Sequence, residues 1–540
     1  METTREFLTF LTDGGDLARL ADWPPDIFAC AATLLERSGG YVRVVDAWPP
    51  PDFEPAGRWT EKVGQLASEW RETTIKAAPA PSTVQDLWAK VLAGGDCSVA
   101  ALVGLDEPGL SLAHLLIQLL AAADEACAGA GVPGDEDAFG TIVFNMFWEQ
   151  EEKNEATTLC RRILPSKLTV LPKLHTPQNG ITIRSLSHNL ALCHVTEVKP
   201  HWTLVKQRHR ERHGLNVLVL PWPLEVKPAH FRPATGGQLR NMPAKFGFFD
   251  FEVRGGAELD SGLVKDLITT AEIEVGPVDM VVFPELALQQ HDVATLSRLI
   301  GQFSPPPMLV GGVALAAPHG FKNSSVTLIP LADGDKPQVF ASFQDKHHRW
   351  MMDGGQVKQY GLGGILDPTM NWWEHSTVAQ RSLRFVSVQP WLTLCTLICE
   401  DLARPDPIAN LVRAVGPNLV VALLMDGPQL SSRWPSRYGT VLAEDPGCSV
   451  LTVSPRGMVR MSRPRGMPPS NVVALWKDAH SGEPTEISLP DGHQAIVLSL
   501  TRVWKEEFSA DGRGDGGMSG YLTLSGIHPL RRAESLNRQS

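Results

Sequence analysis

Leu394-Cys395-Thr396-Leu397-Ile398-Cys399-Glu400-Asp401 starts as an apolar run and ends in a cysteine and two acids, just ahead of Arg404-Pro405, a helix-start signal. An apolar run without polar alternation has both faces covered, so it predicts a strand in a sheet packed between other layers. Runs of the same kind recur at 217–220, 280–283, 308–313, 326–329, 419–424, 450–453 and 495–500, separated by turns and by stretches with helical spacing. That rhythm reads as an α/β domain whose sheets are covered by helices.

Upstream the pattern differs. To about residue 165 the apolar spacing is helical, with candidate helices at 25–38, 57–78, 82–93 and 109–129 between breakers such as Pro49-Pro50-Pro51. Charge changes at the same place: 26 acidic against 10 basic side chains up to residue 160 give a net −16, and 34 against 39 beyond it give +5. Four units follow: an acidic helical N-terminal domain (1–165), a linker or interface segment (166–211), the α/β domain (212–505) and a tail (506–540). Glycines 512, 514, 516, 517 and 520 predict loose order for that tail.

Of the 540 residues 43% are hydrophobic and 20% charged, which excludes a disordered or fibrous chain. The most apolar stretch, 110–123, is broken by His114 and Gln118, short of the ~20 residues a bilayer span needs. Met-Glu-Thr-Thr-Arg-Glu does not open a secretory signal. Eight cysteines are sparse and contain no Cys-x-x-Cys pair, so neither a zinc clamp nor a disulfide framework is expected. The expected compartment is the cytoplasm.

Three apolar runs end in an ionisable or nucleophilic residue, the position where α/β proteins place their sites. They are Val281-Val282-Phe283-Pro284-Glu285, Phe340-Ala341-Ser342-Phe343-Gln344-Asp345-Lys346 and the run ending at Cys399. Singly each is ordinary: an acid or lysine at a strand end is usually solvated, and a cysteine closing an apolar strand is usually packing. As an ordered set, with 61 residues from Glu285 to Lys346 and 53 from Lys346 to Cys399, they are a candidate catalytic triad.

This set resembles the nitrilase, or carbon–nitrogen hydrolase, superfamily, over about residues 212–505. Gly311-Gly312, Asn323-Ser324, Asp426 and a helical reading of 433–444 fit the same pattern. The resemblance implies an α-β-β-α sandwich that commonly pairs into a homo-oligomer, acting on a small-molecule amide with no metal or organic cofactor. It also implies roles. Glu285 takes the thiol proton, Cys399 attacks the carbonyl, and Lys346 with the Glu400 backbone N–H stabilises the oxyanion, while Asn323, Asp353 and Asp426 position the substrate. A second glutamate about eight residues after the lysine is usual in the family. Here Trp350-Met351-Met352-Asp353-Gly354-Gly355 occupies that place, leaving Asp353 or Glu374, after Asn371-Trp372-Trp373, to substitute.

An extra segment, 221–258, rich in proline and aromatics, is expected to modify access. The run Lys206, Arg208, His209, Arg210, Arg212, His213 reads as a solvated face, because the overall acidity disfavours nucleic acid. Glu211 is misplaced for a zinc-protease helix. Ser38-Gly39-Gly40 does not extend into a nucleotide loop, which argues against an ATP-using synthetase. The rival reading is a silent or gated sensing module of the same fold, in bacterial regulation or antiviral defence, with a protein partner on the acidic N-terminal region.

Overall fold

The structure is a computed structural model and describes residues 2–46, 48–49, 57–103, 109–134, 138–194, 197–205, 213–235, 243–317, 320–331, 338–378, 381–462 and 469–532. The basic run 206–212, with His209 and Glu211, lies outside the described residues.

Two large sheets lie face to face. The eight-stranded one runs in the order Val339–Asp345, Gly320–Pro330, Met308–Ala317, Met280–Val282, Gly214–Val219, Ala495–Lys505, Ser519–Leu530, with Leu288–Gln289 beside Met308–Ala317. The seven-stranded one runs Thr485–Ser488, Val472–Lys477, Ser449–Val453, Leu419–Leu423, Leu392–Ile398, Ser382–Gln389, Lys199–Leu204. Alternate side chains explain the continuous apolar runs. Val217 and Val219 pack between the sheets against residues such as Leu394 and Val421. Leu218 and Leu220 point the other way, into the layer formed by helices Ser261–Val275 and Gln290–Ile300 through Ile268 and Leu296. In the second sheet Leu392 and Leu394 face the first sheet, while Cys395 and Leu397 face outward.

The outward face of the second sheet is covered by its own helices and by the N-terminal region. That region is helical up to residue 152, as Thr4–Leu11, Pro24–Ser38, Gly57–Ile75, Ser82–Ala93, Gly109–Ala126 and Ala138–Glu152 among its described elements. Its apolar faces do not close on themselves alone. One hydrophobic cluster joins Leu34 and Leu116 to Leu171, Leu397, Val412 and Val450, so the helices share a core with the sheet that carries Cys399.

One expectation needs correction and another gains detail. The segment expected as a linker or interface carries strands of its own within its described residues, 166–194 and 197–205. Leu168–Pro172 pairs antiparallel with Leu190–His194, and Lys199–Leu204 is the parallel edge strand beside Ser382–Gln389. The tail is not loose over its described residues, 506–532: Ser519–Leu530 is hydrogen-bonded along Ala495–Lys505. Its glycine-rich approach is pinned by Arg513, 1% exposed, whose guanidinium meets Asp511 at 2.8 Å, Asp124 at 3.2 Å and Glu125 at 2.6 Å. Glycines signal permissive backbone; buried ion pairs far apart in sequence supply the order that local composition does not encode.

Arg513→Ala leaves Asp124 and Asp511 buried without their cation. The expected loss in a denaturant titration at neutral pH is about 3–5 kcal/mol, and an unchanged midpoint would contradict the pinned tail.

Candidate active site

Glu285 follows the strand Met280–Val282, which runs parallel to both neighbours, so the residue sits at a carboxyl-end sheet edge. The turn there is tight. Leu286 has φ of 52°, and a Cβ on Gly312 would fall 2.5 Å from the Glu285 Cα and 2.6 Å from the Leu286 nitrogen, so only glycine lets the next strand run against it.

Lys346 leaves the edge strand Val339–Asp345, its N–H donating to the Asn323 carbonyl at 2.8 Å. Asp401, buried two residues after Cys399, accepts from the backbone N–H groups of His347 and His348 at 3.0 to 3.1 Å. The acid beyond the cysteine thus ties its loop to the lysine loop.

Cys399 ends the strand Leu392–Ile398. Its N–H donates to the Leu423 carbonyl at 2.9 Å, and the chain then turns abruptly, with φ 46° and ψ −107°, into the short helix Glu400–Ala403. A non-glycine residue at positive φ carries strain of order 1–3 kcal/mol, which surrounding structure must hold.

The side chains converge. Lys346 Nζ donates to Glu285 Oε1 at 2.7 Å and to Glu374 Oε2 at 2.6 Å. Asn323 Nδ2 bridges the same carboxylates, at 2.7 Å from each. The Trp350 N–H adds a 3.2 Å bond to Glu374. All are buried: Glu285 is 1% exposed, Lys346 and Cys399 3%, and Glu374 5%.

Charge distributes unevenly over this cluster. Burial raises Glu285, and neighbouring Glu374 adds to that, while Lys346 opposes it; its carboxyl stays above the ordinary range. Burial acts on Glu374 too, but Lys346 and the hydrogen bonds from Lys346, Asn323 and Trp350 outweigh it, so Glu374 holds its charge. Burial opposes the Lys346 charge, yet the two carboxylates more than compensate and keep it an ammonium. Burial raises the Cys399 thiol, as does Glu285, with Lys346 pulling the other way. The site therefore sets a thiol raised by burial near a carboxyl raised above the ordinary range and a lysine held as an ammonium.

Beside the two glutamates lies a small cavity walled by Phe231, Phe249, Phe251, Phe321, Trp350 and Met425, among others. Segment 221–258 supplies three of these. Its strands Phe231–Pro233 and Phe246–Phe251 join Asn371–Glu374 and Met351–Met352 in a four-stranded sheet.

The named residues divide clearly. Glu285, Lys346 and Asn323 meet, and Cys399 lies close enough for the charges of Glu285 and Lys346 to act on its thiol. Asp353 does not join them: it is exposed and caps the helix Gly354–Gln359, accepting from the Gln356 N–H at 2.8 Å. Glu374 takes the second-carboxylate position, 28 residues beyond Lys346 in sequence, because the small sheet carries it back. The Glu400 side chain pairs with Arg404 at 3.1 Å. Asp426, beyond the strand Leu419–Leu423, is occupied by Tyr360, by Arg433 at 3.0 Å and by Trp434 at 3.0 Å. Sequence reading overlooked Asp401, although an acid two residues past Cys399 was visible.

No family model matches the chain, and no curated protein matches it. Among solved structures it is similar to Nit3 of Saccharomyces cerevisiae, a member of branch 10 of the nitrilase superfamily, at 14% identity over 54% of this chain and 92% of that one, with a TM-score of 0.31. It is similar to a CN-hydrolase superfamily protein of Xanthomonas campestris with an arsenic adduct in its active site, at 14% identity over 53% and 91%, TM-score 0.29. It is also similar to a glutamine-dependent NAD(+) synthetase of Cytophaga hutchinsonii, at 8% over 53% and 42%, TM-score 0.27. The matched portion is about half of this chain.

Lys346→Met isolates two buried carboxylates. Each then has a folded pKa above its unfolded value, so its contribution to stability is present at low pH and lost as pH rises. Urea midpoints should show a wild-type advantage of about 3–5 kcal/mol at pH 7.5 that shrinks at pH 4.5. An equal gap at both would contradict the shared-cation arrangement.

Proposed function

We propose that the chain is a thiol-dependent amidohydrolase cleaving a non-peptide carbon–nitrogen bond. The observation that carries the reading is a single buried ammonium, Lys346, clamped by two carboxylates of unequal proton affinity beside a cysteine at a strained strand end.

The chemistry follows from those inequalities. An ordinary thiol, pKa about 8.5, is mostly protonated at neutral pH and needs a base. Glu285 accepts the Cys399 proton as sulfur bonds to the amide carbon. The carbonyl electron pair moves to oxygen, where the fixed Lys346 charge and the Glu400 N–H stabilise it. As the C–N bond breaks, Glu285 returns the proton to nitrogen and ammonia or an amine leaves, giving a thioester on Cys399. Water then attacks that carbon, giving a proton to Glu285; the C–S bond breaks, the acid leaves and the thiolate regains the proton. Glu374 and Asn323 hold Lys346 and Glu285 in place throughout. Asp401 fixes the lysine loop against the cysteine loop.

Ammonia release from small primary amides tests this. Cys399→Ala and Glu285→Gln should each lose at least ~10³-fold in kcat/KM, and the wild-type acid limb should lie above the ordinary glutamate value of about 4.3. Activity surviving in Cys399→Ala would overturn the reading.

A further inference from the structure

We infer that Gln344 is a positioning residue: its side-chain amide, spliced between two strands of the opposite sheet, fixes the approach of Lys346 to Cys399. The catalytic consequence of that placement rests on the amidohydrolase reading.

Ser382–Gln389 and Leu392–Ile398 run antiparallel, and their pairing stops at Phe385 opposite Cys395. One step further, Arg384 would face Thr396. There the amide of Gln344 stands in for a direct rung: the Arg384 N–H donates to Gln344 Oε1, and Gln344 Nε2 donates to the Thr396 carbonyl, each at 2.8 Å. A carboxamide carries an acceptor and a donor on one planar unit, as a peptide group does. It can therefore complete a ladder that a hydrocarbon or an ionised carboxylate cannot. Gln344 is 4% exposed and comes from Val339–Asp345, the edge strand of the eight-stranded sheet, so this one side chain joins the two sheets.

Position along the chain gives the splice its consequence. Gln344 stands two residues before Lys346, and Thr396 three before Cys399. On the far side Asp401, two residues after Cys399, holds the N–H groups of His347 and His348. Lys346 and Cys399 are thus bracketed by cross-links before and after. Two further bonds anchor the lysine segment to Ser382–Gln389: Arg384 Nε donates to the Phe343 carbonyl at 2.9 Å, and His347 Nε2 donates to the Ser382 carbonyl at 2.8 Å. In the proposed reaction Lys346 must meet the oxyanion on the carbon that the Cys399 sulfur attacks. A displacement of about 1 Å in such an arrangement is worth ~10²-fold in rate.

The test uses the full-length chain with Gln344→Leu, which removes both bonds, and Gln344→Glu, which keeps the shape. Two readouts are taken on protein shown to be folded by circular dichroism: kcat and KM for ammonia release from small primary amides such as isobutyramide, and the pH profile of Cys399 alkylation by iodoacetamide. Gln344→Leu should lower kcat by ~10²-fold with little change in KM. It should also move the Cys399 profile to higher pH, because the Lys346 charge that favours the thiolate is no longer held against it. Gln344→Glu separates positioning from packing. Its protonated acid can replace both bonds, whereas its carboxylate cannot donate to Thr396, so its kcat relative to wild type should be highest at acid pH and fall as pH rises. Wild-type kcat and a wild-type alkylation profile in Gln344→Leu, or a Gln344→Glu ratio indifferent to pH, would overturn the inference and leave the amidohydrolase reading standing. If the wild type releases no ammonia from any small primary amide, the amidohydrolase reading falls and alkylation alone decides the placement: a shifted profile in Gln344→Leu supports it, and an unshifted one overturns it.

Discussion

A buried ammonium shared by two buried carboxylates is the interaction on which the rest of this site depends. In a dry interior, isolated ions of either sign are costly, and three together are tolerated only when geometry and hydrogen bonding are nearly complete. Here Lys346 touches both carboxylates, Asn323 bridges them and the Trp350 N–H closes Glu374. Of the two carboxylates, Glu285 is the one with an oxygen, Oε2, left without a hydrogen-bond partner among the described residues, and the Asn323 Oδ1 is left so as well. That asymmetry makes electrostatically different groups out of two glutamates: Glu374 is held in its charged form, while the Glu285 carboxyl is raised above the ordinary range.

The fold brings that cluster together from distant parts of the chain. Glu285 and Cys399 come from the carboxyl ends of strands in different sheets, and Lys346 from an edge strand, so their meeting requires the face-to-face packing set by the apolar layer between the sheets. Local devices finish the placement. Gly312 lets one strand pass the Glu285 turn, and Asp401 ties the cysteine turn to the lysine loop. The N-terminal helices add to the support, since they share the hydrophobic layer on the outer face of the Cys399 sheet.

Much of this was legible in the sequence, where physics is local. Unbroken apolar runs mark doubly covered strands, and Leu392–Ile398, Leu419–Leu423 and Ala495–Lys505 stand where such runs occur. The helices Pro24–Ser38, Ser82–Ala93 and Gly109–Ala126 likewise follow from their periodicity and breakers. What could not be read depends on long-range pairing. Asp353 has the better spacing for a second acid, but it caps a helix, while Glu374 reaches the lysine on a strand whose parallel partner, Phe246–Phe251, lies more than a hundred residues away in sequence. The tail shows the same limit, since its glycines are uninformative about Arg513 and its distant acids.

The central claim is that Cys399 is activated by its surroundings rather than merely exposed, and cysteine alkylation tests it directly. Cys97 is half-buried, whereas Cys399 is 3% exposed, so simple accessibility favours Cys97. Peptide mapping after brief treatment with iodoacetamide, itself a compact primary amide, should find Cys399 alkylated ahead of Cys97 in the wild type, with that lead lost in Glu285→Gln. Labelling that follows exposure alone, with Cys97 first and Cys399 indifferent to Glu285, would contradict the account.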